Sequence, residues 1–231
     1  MKDFLPIPVP RPISAEDLSL KDLIAHYNKI KPAIKRRISE FRSIIKSRSN
    51  ADIFAESCFC ILTANASAVR CHDAIKELSA HDLLAIGKAH QIRPKIKGRA
   101  RFHNKKADYI VGARKLFTRN SCLNILGALK GDDIIATRDW LVENVKGYGY
   151  KEASHFLRNI GMGEKITILD RHILKNLKKY GVIDTIPSSI GGRKIYLEIE
   201  DKMRSFSKKI GIPLEELDLL LWSMQTGFIF K

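Results

Sequence analysis

The sequence predicts an all-α fold. From Ser14 onward, apolar residues recur at spacings of three and four, which is typical of helices with one buried face. No segment shows the strict alternation of apolar and polar residues that indicates a half-buried strand. With 231 residues, 45% of them hydrophobic, the chain is long enough to bury a core in one large domain or two small lobes.

The elements follow in order along the chain. Prolines at positions 6, 8, 10 and 12 predict that the first dozen residues form an extended arm. Helices are then expected at roughly 19–47, with a break near Pro32, and at 51–65, 67–78, 80–90, 104–118, 132–145, 150–160, 170–180, 193–210 and 214–226.

Caps support several of these boundaries. Ser79, Asn104 and Asp170 each stand before a predicted helix, where their side chains can accept a hydrogen bond from a backbone amide of the first turn. Glycines at positions 161, 181 and 211 fall where helices are expected to end.

The chain is strongly basic, with a formal net charge of +16 and a pI near 9.8. This charge favours a polyanionic partner, most simply nucleic acid, although a generally basic protein is the alternative. No apolar run approaches membrane-spanning length, and the N-terminus lacks a signal-peptide core. We therefore expect a protein of the cytoplasm that does not bind membranes.

The four cysteines do not form a metal motif. Cys58, Cys60, Cys71 and Cys122 match neither a zinc module nor the close spacing of an iron–sulfur cluster. We expect no metal site and interpret all four as buried free thiols in a reducing compartment.

The most informative segment runs from Val145 to Lys151. Gly147 and Gly149 lie two residues apart between two helical patterns, which predicts a helix, a tight hairpin and a second helix. Amides at the start of the second helix suit a phosphate, because they are unpaired donors at a positive dipole end. Lys151, with Asp170 downstream, adds a possible active site to this phosphate clamp.

This arrangement resembles the helix–hairpin–helix DNA glycosylases. Three further segments, residues 59–65, 101–110 and 151–159, are similar to the archaeal type 2 8-oxoguanine DNA glycosylases. The resemblance runs from about Ile38 to the C-terminus and implies two helical lobes flanking a DNA-binding cleft. The outer lobe would combine residues 1–51 with 164–231, and the central lobe would be residues 52–163. Lys151 and Asp170 would face each other across the cleft.

The resemblance assigns the catalytic roles to Lys151 and Asp170. The neutral amine of Lys151 would attack the sugar, expel the base and leave an imine that permits strand cleavage by β-elimination. The alternative is a surface phosphate-binding lysine, which is the role expected for Lys146. Asp170 would stabilise positive charge on the sugar, and a helix N-cap is its compatible alternative. We interpret His172 as a packed structural residue.

Two groups of residues are expected to hold the DNA backbone. Lys146, Gly147 and Gly149 would bind a phosphate, with a monovalent cation possible at the hairpin when DNA is bound. A basic tract would add phosphate contacts, notably from Arg101 and Lys105. A solvated charged loop is the alternative for this tract, which comprises Arg93, Lys95, Lys97, Arg99, Arg101, Lys105 and Lys106.

Four residues are candidates for handling the flipped base. Asn65 matches a gap-filling position in related glycosylases, or it is a helix C-terminal cap. Trp222 would stack on the purine, or it packs in the core. Asp218 would accept purine N–H groups, or it is a solvated helix residue. The tail of Lys231 is expected to be tucked in, with its terminal carboxylate at the base pocket, or the tail only fills a hydrophobic seam.

The leading hypothesis is a monomeric bifunctional glycosylase and AP lyase that excises 8-oxoguanine from double-stranded DNA in an archaeal-type cell. Because no cysteine follows Cys122, we expect no iron–sulfur cluster and no other cofactor. The alternatives are a glycosylase for another oxidised base, a non-catalytic helix–hairpin–helix DNA-binding protein and a basic RNA-associated protein.

Overall fold

The computed structural model describes residues 4–10, 19–129 and 133–231, and it is predominantly helical, as predicted. Its helices are α1 (Leu20–Ser47), α2 (Asn50–Thr63), α3 (Ala68–Ala80), α4 (Ala89–Ile96), α5 (His103–Phe117), α6 (Ile134–Asn144), α7 (Tyr150–Asn159), α8 (Arg171–Lys179), α9 (Arg193–Ile210) and α10 (Leu214–Thr226). A short 3₁₀ turn lies at Leu126–Ala128. The predicted start of α6 at residue 132 lies outside the described residues.

Helix α1 is continuous through Pro32, so the predicted break is wrong. A proline inside a helix removes one hydrogen bond, here the bond to the carbonyl of Asn28. Both Asn28 and Pro32 are exposed. The carbonyl that lacks its helical partner is therefore accessible to water, which keeps the cost of the lost bond low. The opposite face, which includes Ile30 and Ile34, is buried in the core and holds the helix together.

Two predicted helix starts are also wrong. Ser79 lies inside α3, and the chain then forms turns before α4 begins at Ala89, so no helix spans 80–90. Asn104 lies inside α5, whose N-cap is Phe102 in a left-handed conformation with φ of 55°. Both errors have one cause, because a capping side chain in the sequence does not show whether the preceding residues are already helical.

Four two-residue strands were not predicted. β2 (Thr118–Arg119) pairs with β3 (Cys122–Leu123), and β1 (Ile7–Pro8) pairs antiparallel with β4 (Phe228–Ile229). The described part of the proline-rich arm, residues 4–10, is extended as predicted. Pro12 lies outside the described residues. The β1–β4 pair joins the beginning of the chain to its end.

The core is one continuous cluster of buried apolar side chains. α1 packs against α10, α2 packs against α3, α5 and α7, and α6 packs against α7. Cys58, Cys60 and Cys71 are buried free thiols, whereas Cys122 is exposed, so the prediction of a buried thiol is wrong at that position. Cys122 faces solvent because its two-residue strand lies at the surface. None of the described helices is both long and apolar enough to cross a membrane.

Candidate active site

The hairpin between α6 and α7 is built differently at its two glycines. Gly147 has a φ of +91°, and a Cβ at this position would lie 2.7 Å from the ring of Tyr109. Gly149 has extended backbone, with φ of −112° and ψ of −172°, and is the N-cap of α7. Only Gly147 therefore needs the conformational freedom of glycine, which was expected at both positions.

The N-terminus of α7 is capped by the side chain of Glu152, a residue of its own first turn. The amide of Gly149 donates to Oε2 of Glu152 at 3.2 Å, so this amide is occupied rather than offered to a phosphate. The hydroxyl of Tyr148 bonds to the carbonyl oxygen and hydroxyl of Ser57 at 3.1 and 3.0 Å, which anchors the hairpin to α2. These contacts hold the first turn of α7 in a fixed orientation.

Lys151 lies in this first turn, directly behind the hairpin. Its side chain is 23% exposed, and its Nζ is 3.9 Å from Oε1 of Glu152. At this distance the carboxylate attracts the ammonium without a short hydrogen bond to it. The amine therefore keeps access to the space in front of α7.

Asp170 is the N-cap of α8, as predicted. Its Oδ1 accepts a hydrogen bond from the amide of Ile173 at 2.8 Å. The cap fixes the orientation of the carboxylate, and both Asp170 and Lys151 line the same cavity. A capping role and a role in the site are thus compatible.

The cavity has a volume of about 1010 Å³ and lies between α2, α7, α8 and α10. It brings together residues that are far apart in the sequence: Asn65, Arg101, Lys151, Asp170, Asp218, Trp222 and Lys231. The remaining predicted site residues do not line it. Lys105, Lys146 and Gly147 are exposed outside its wall, and Gly149 is half-buried beneath the hairpin.

The rim of the cavity carries Asn65 and Arg101. Asn65 is exposed just past the end of α2, with a left-handed φ of 54°, which suits a C-terminal cap and leaves its side chain free to reach outward. Arg101 lies 5.5 Å from the ring centroid of Phe102. Phe102 was not predicted, yet 62% of it is exposed. An exposed ring beside an arginine is suited to stacking on nucleic-acid bases.

The inner wall contains Asp218, which is buried. The alternative interpretation, a solvated helix residue, is therefore wrong. Burial raises the pKa of Asp218 to about 6, although the guanidinium of Arg158 opposes the shift. The Nη1 of Arg158 is 3.9 Å from Oδ2 of Asp218. The nearby carboxylate of Asp170 raises this pKa further.

Two residues on the cavity wall had no predicted role. His155 and Arg158 follow Lys151 by four and seven positions, a spacing that places all three on one face of α7. Burial lowers the pKa of His155 well below its usual value, and the charges of Lys151 and Arg158 lower it further. The backbone of Lys231 lies close enough to the imidazole to oppose this lowering of the pKa.

Trp222 and His172 both lie at the cavity. Trp222 is half-buried, lines the cavity and packs nearly perpendicular to the ring of Phe228, with ring centroids 5.2 Å apart. His172 also lines the cavity and is half-buried, so it is not the fully packed residue that was expected. It starts α8 beside Asp170, and this position turns it toward the cavity.

The C-terminal tail is tucked into the fold, as predicted. Ile229, Phe230 and Lys231 are buried. The Nζ of Lys231 donates to Oε1 of Glu56 at 2.6 Å, and both side chains are almost fully inaccessible to water. Lys231 also lines the cavity.

Several residues of the basic tract are engaged within the chain. The Nζ of Lys106 is buried and donates to the carbonyl oxygens of Leu62 and Ala64 at 2.8 and 2.6 Å, so the expectation of a phosphate contact is wrong for this residue. It caps the C-terminal end of α2 instead. Arg93, Lys95 and Arg99 form ion pairs with Asp108 or Glu77. Lys97, Arg101 and Lys105 stay exposed.

Comparison with known proteins places the chain among DNA repair enzymes. Residues 34–212 match the Ogg-HhH family, described as 8-oxoguanine DNA glycosylase. An 8-oxoguanine DNA glycosylase/AP lyase of Fusobacterium nucleatum is 42% identical over 206 residues, which cover 89% of this chain and 94% of that protein.

Two crystal structures have the same fold. The 8-oxoguanine glycosylase/lyase of Methanocaldococcus jannaschii, in complex with a 15mer DNA containing 8-oxoguanine, is 39% identical and gives a TM-score of 0.82 over 92% of this chain and 99% of that chain. The 8-oxoguanine DNA glycosylase of Thermotoga maritima is 36% identical and gives a TM-score of 0.78 over 92% of this chain and 98% of that chain. The relatives are both archaeal and bacterial, so the similarity is not confined to archaea.

Proposed function

The chain belongs to the 8-oxoguanine DNA glycosylase family, and from this membership we infer that it is a DNA N-glycosylase and AP lyase that removes 8-oxoguanine from DNA. The observation that supports this function best is the meeting of a lysine and an aspartate at one cavity. Lys151 lies in α7, Asp170 caps α8, and both line the same cavity.

We propose that Lys151 is the nucleophile. Its neutral amine forms a bond to C1′ of the damaged nucleotide while the bond from C1′ to N9 of the base breaks, and the base leaves with the electron pair of that bond. The nitrogen then loses one proton, and its lone pair forms a C1′=N bond while the C1′–O4′ bond breaks; O4′ keeps the electron pair of that bond and takes up a proton, which leaves a protonated imine. The imine acidifies C2′, and removal of a C2′ proton expels the 3′ phosphate by β-elimination. The strand is cleaved without a cofactor.

Asp170 is proposed to act on the sugar rather than on the base. As the base departs, positive charge develops on the sugar, and a fixed carboxylate lowers the energy of that state. The hydrogen bond from Ile173 holds the carboxylate before the substrate arrives. Such preorganisation supports electrostatic stabilisation because no rearrangement is needed at the moment of reaction.

The base pocket is proposed to consist of Trp222, Asp218 and the C-terminus at Lys231. Trp222 offers an indole ring at the cavity, and the buried carboxylate of Asp218 offers an acceptor. Guanine-type bases present N1–H and N2–H₂ as adjacent donors, which carboxylates accept together, whereas adenine has no such pair. Asn65, at the rim, is proposed to fill the gap left by the flipped nucleotide.

DNA binding outside the pocket is proposed to use phosphate contacts. Lys146, Gly147, Lys105 and Arg101 are exposed and suited to contacts with DNA phosphates. Gly149 shapes the hairpin that carries Lys146 and Gly147. A monovalent cation at the hairpin when DNA is bound is part of this proposal. We further propose a monomer in the cytoplasm, associated with the nucleoid, in which residues 1–51 and 164–231 form one lobe and residues 52–163 the other.

The decisive experiment compares two lysines of the same hairpin. Lys151→Gln is expected to abolish 8-oxoguanine excision and the covalent DNA adduct trapped by borohydride, while affinity for the duplex survives. The matched control is Lys146→Gln, an exposed lysine five residues earlier, which should weaken DNA binding and still form the adduct. Excision by Lys151→Gln at the wild-type rate would refute the mechanism.

A second measurement separates the remaining candidate functions. Asp170→Asn should keep the cap, since asparagine also caps helices well, yet slow excision strongly. A wild-type protein that binds duplex DNA but traps no adduct on any damaged base would indicate a non-catalytic DNA-binding protein. An adduct on oxidised pyrimidines alone would indicate a different glycosylase.

A further inference from the structure

The side chain of Lys231 is held more firmly than that of an ordinary terminal residue. Besides the ion pair with Glu56, its Nζ lies 4.7 Å from the ring centroid of Phe59 and 4.9 Å from that of Phe4. A buried ammonium between two aromatic faces and a carboxylate has little freedom to move. Two of these three partners come from α2, and the third comes from the N-terminal arm.

The arm itself is bound along the C-terminal tail. Ile7 pairs with Ile229 in the β1–β4 ladder, and the amide of Val9 donates to the carbonyl of Gly227 at 3.0 Å. Phe4 is 3% exposed and packs edge-on against Phe41 of α1 at 5.8 Å. The arm therefore crosses the tail and buries its own first described residue beside the last residue of the chain.

A charged residue of α1 fixes the arm from the other side. Arg37 is buried, its guanidinium donates to the carbonyl of Leu5, and it lies 5.3 Å from the ring centroid of Phe4. The ring of Phe4 thus contacts two cations, Arg37 and Lys231. If Phe4 only filled space, an aliphatic side chain would serve as well. The contacts with two cations use the π face of the ring, which an aliphatic side chain lacks.

We propose that the N-terminal arm is a positioning element of the base pocket, in which Phe4 holds Lys231 so that the terminal carboxylate stays in place for the flipped base. This inference rests on the proposed function and deepens it. Phe4 touches neither the sugar nor the base in this proposal and acts only through Lys231. The family match begins at residue 34, beyond the arm, so the arm is not part of the matched region.

The proposal separates two activities of one enzyme. Excision of 8-oxoguanine needs the base pocket, whereas β-elimination at a preformed abasic site needs only Lys151 and the phosphate contacts. A loosened carboxylate should therefore slow base excision and spare the lyase step. A displacement of about 1 Å in a positioning group can cost about 100-fold, so we expect Phe4→Ala to slow single-turnover excision by about ten- to 100-fold.

The test uses the full-length chain and four variants. Phe4→Ala removes the ring, Phe4→Leu keeps apolar volume without a π face, and Phe4→Tyr keeps the π face. Leu5→Ala is the matched control, because Leu5 is the next residue of the arm and is 67% exposed. Each protein is assayed for single-turnover excision of 8-oxoguanine, the ratio of 8-oxoguanine to guanine excision, lyase activity on a preformed abasic duplex and thermal unfolding.

The expected result is a selective loss. Phe4→Ala and Phe4→Leu should lose excision and base discrimination while lyase activity stays within about twofold of wild type, and Phe4→Tyr and Leu5→Ala should behave like wild type. If Phe4→Ala does not fold, the comparison of Phe4→Leu with Phe4→Tyr decides the question. Equal excision by the leucine and tyrosine variants, or a parallel fall of excision and lyase activity, would overturn the proposal.

A failure of the proposed function would be seen in the wild-type protein, whereas a failure of the role of the arm would be seen only in the Phe4 variants. A wild-type protein that cleaves abasic DNA but excises no 8-oxoguanine would overturn the assigned substrate and this inference with it. An active wild type with an equally active Phe4→Ala variant would overturn only the role of the arm.

Discussion

Asp218 is a buried carboxyl group that is costly to ionise and is also proposed to accept hydrogen bonds from the flipped base. Its carboxyl group is buried beside Arg158, and burial raises its pKa to about 6, from an ordinary value of 3.8. A group whose pKa is raised by folding binds its proton more tightly in the folded state. Its contribution to stability is therefore fully present below pH 3.8 and is lost as the pH rises through about 6.

This sign gives a measurable prediction. Between about pH 4 and pH 7 the free energy of unfolding of the wild type should fall relative to that of Asp218→Asn, by at most about 3 kcal/mol for a shift of about two pKa units. Denaturant unfolding at several pH values measures the difference. Asp184→Asn, at an exposed aspartate, corrects for the loss of one negative charge. A difference that does not vary with pH would contradict a raised pKa.

The sequence marks some candidate site residues more clearly than others. Lys151 and Asp170 are recognisable because the glycine hairpin and a helix start mark their positions. His155 and Arg158 lie on the same helical face as Lys151, and this spacing was available as a signal. Their burial against the cavity is a tertiary property that the spacing does not reveal, because a surface helix has the same periodicity.

At the scale of the element, the hairpin gives a sharp comparison between two glycines. Gly147→Ala places a Cβ on a left-handed residue, 2.7 Å from the ring of Tyr109. Gly149→Ala places it on extended backbone, 3.4 Å from a flexible carboxylate oxygen of Glu152. We expect Gly147→Ala to weaken binding to damaged and undamaged duplex alike, because phosphates position a protein without specifying bases.

Gly149→Ala is the matched control for this change. It should bind both duplexes within about threefold of wild type, since alanine adopts extended backbone without strain. Fluorescence anisotropy with the two duplexes measures both variants. If Gly147→Ala lost affinity only for the damaged duplex, the hairpin would contact the lesion instead of the backbone.

The element boundaries show where sequence patterns stop being informative. The glycines at 161, 181 and 211 mark helix ends correctly, because a left-handed residue ends a helix by its own conformation. Pro32 and Ser79 mislead, since their local preferences are overridden by packing on the buried side of α1 and by the continuation of α3. The two-residue strands leave too short a pattern to detect.

At the scale of the whole molecule, the least predictable contacts join distant parts of the chain. The tucked tail followed from its three large apolar residues, which do not remain in water. Its partner Glu56 is 175 residues away, and nothing local marks that glutamate as the partner of Lys231. The pairing of β1 with β4 has the same origin. Such contacts depend on the arrangement of all helices and not on any one of them.

A buried ion pair links the two proposed lobes and gives the last prediction. Glu200 of α9 accepts two hydrogen bonds from Arg138 of α6, at 2.8 and 2.9 Å, and one from the amide of Thr167 at 2.8 Å. Removing one partner of a buried pair leaves the other charge unpaired, so Glu200→Gln should lower the free energy of unfolding by about 3–5 kcal/mol. Glu198→Gln, on the exposed face of the same helix, should change it by less than about 0.5 kcal/mol.

Because the core is continuous, we expect one cooperative transition in denaturant for both variants, followed by circular dichroism and by tryptophan fluorescence. Two separated transitions in Glu200→Gln would show instead that the lobes fold independently and that this ion pair is what joins them.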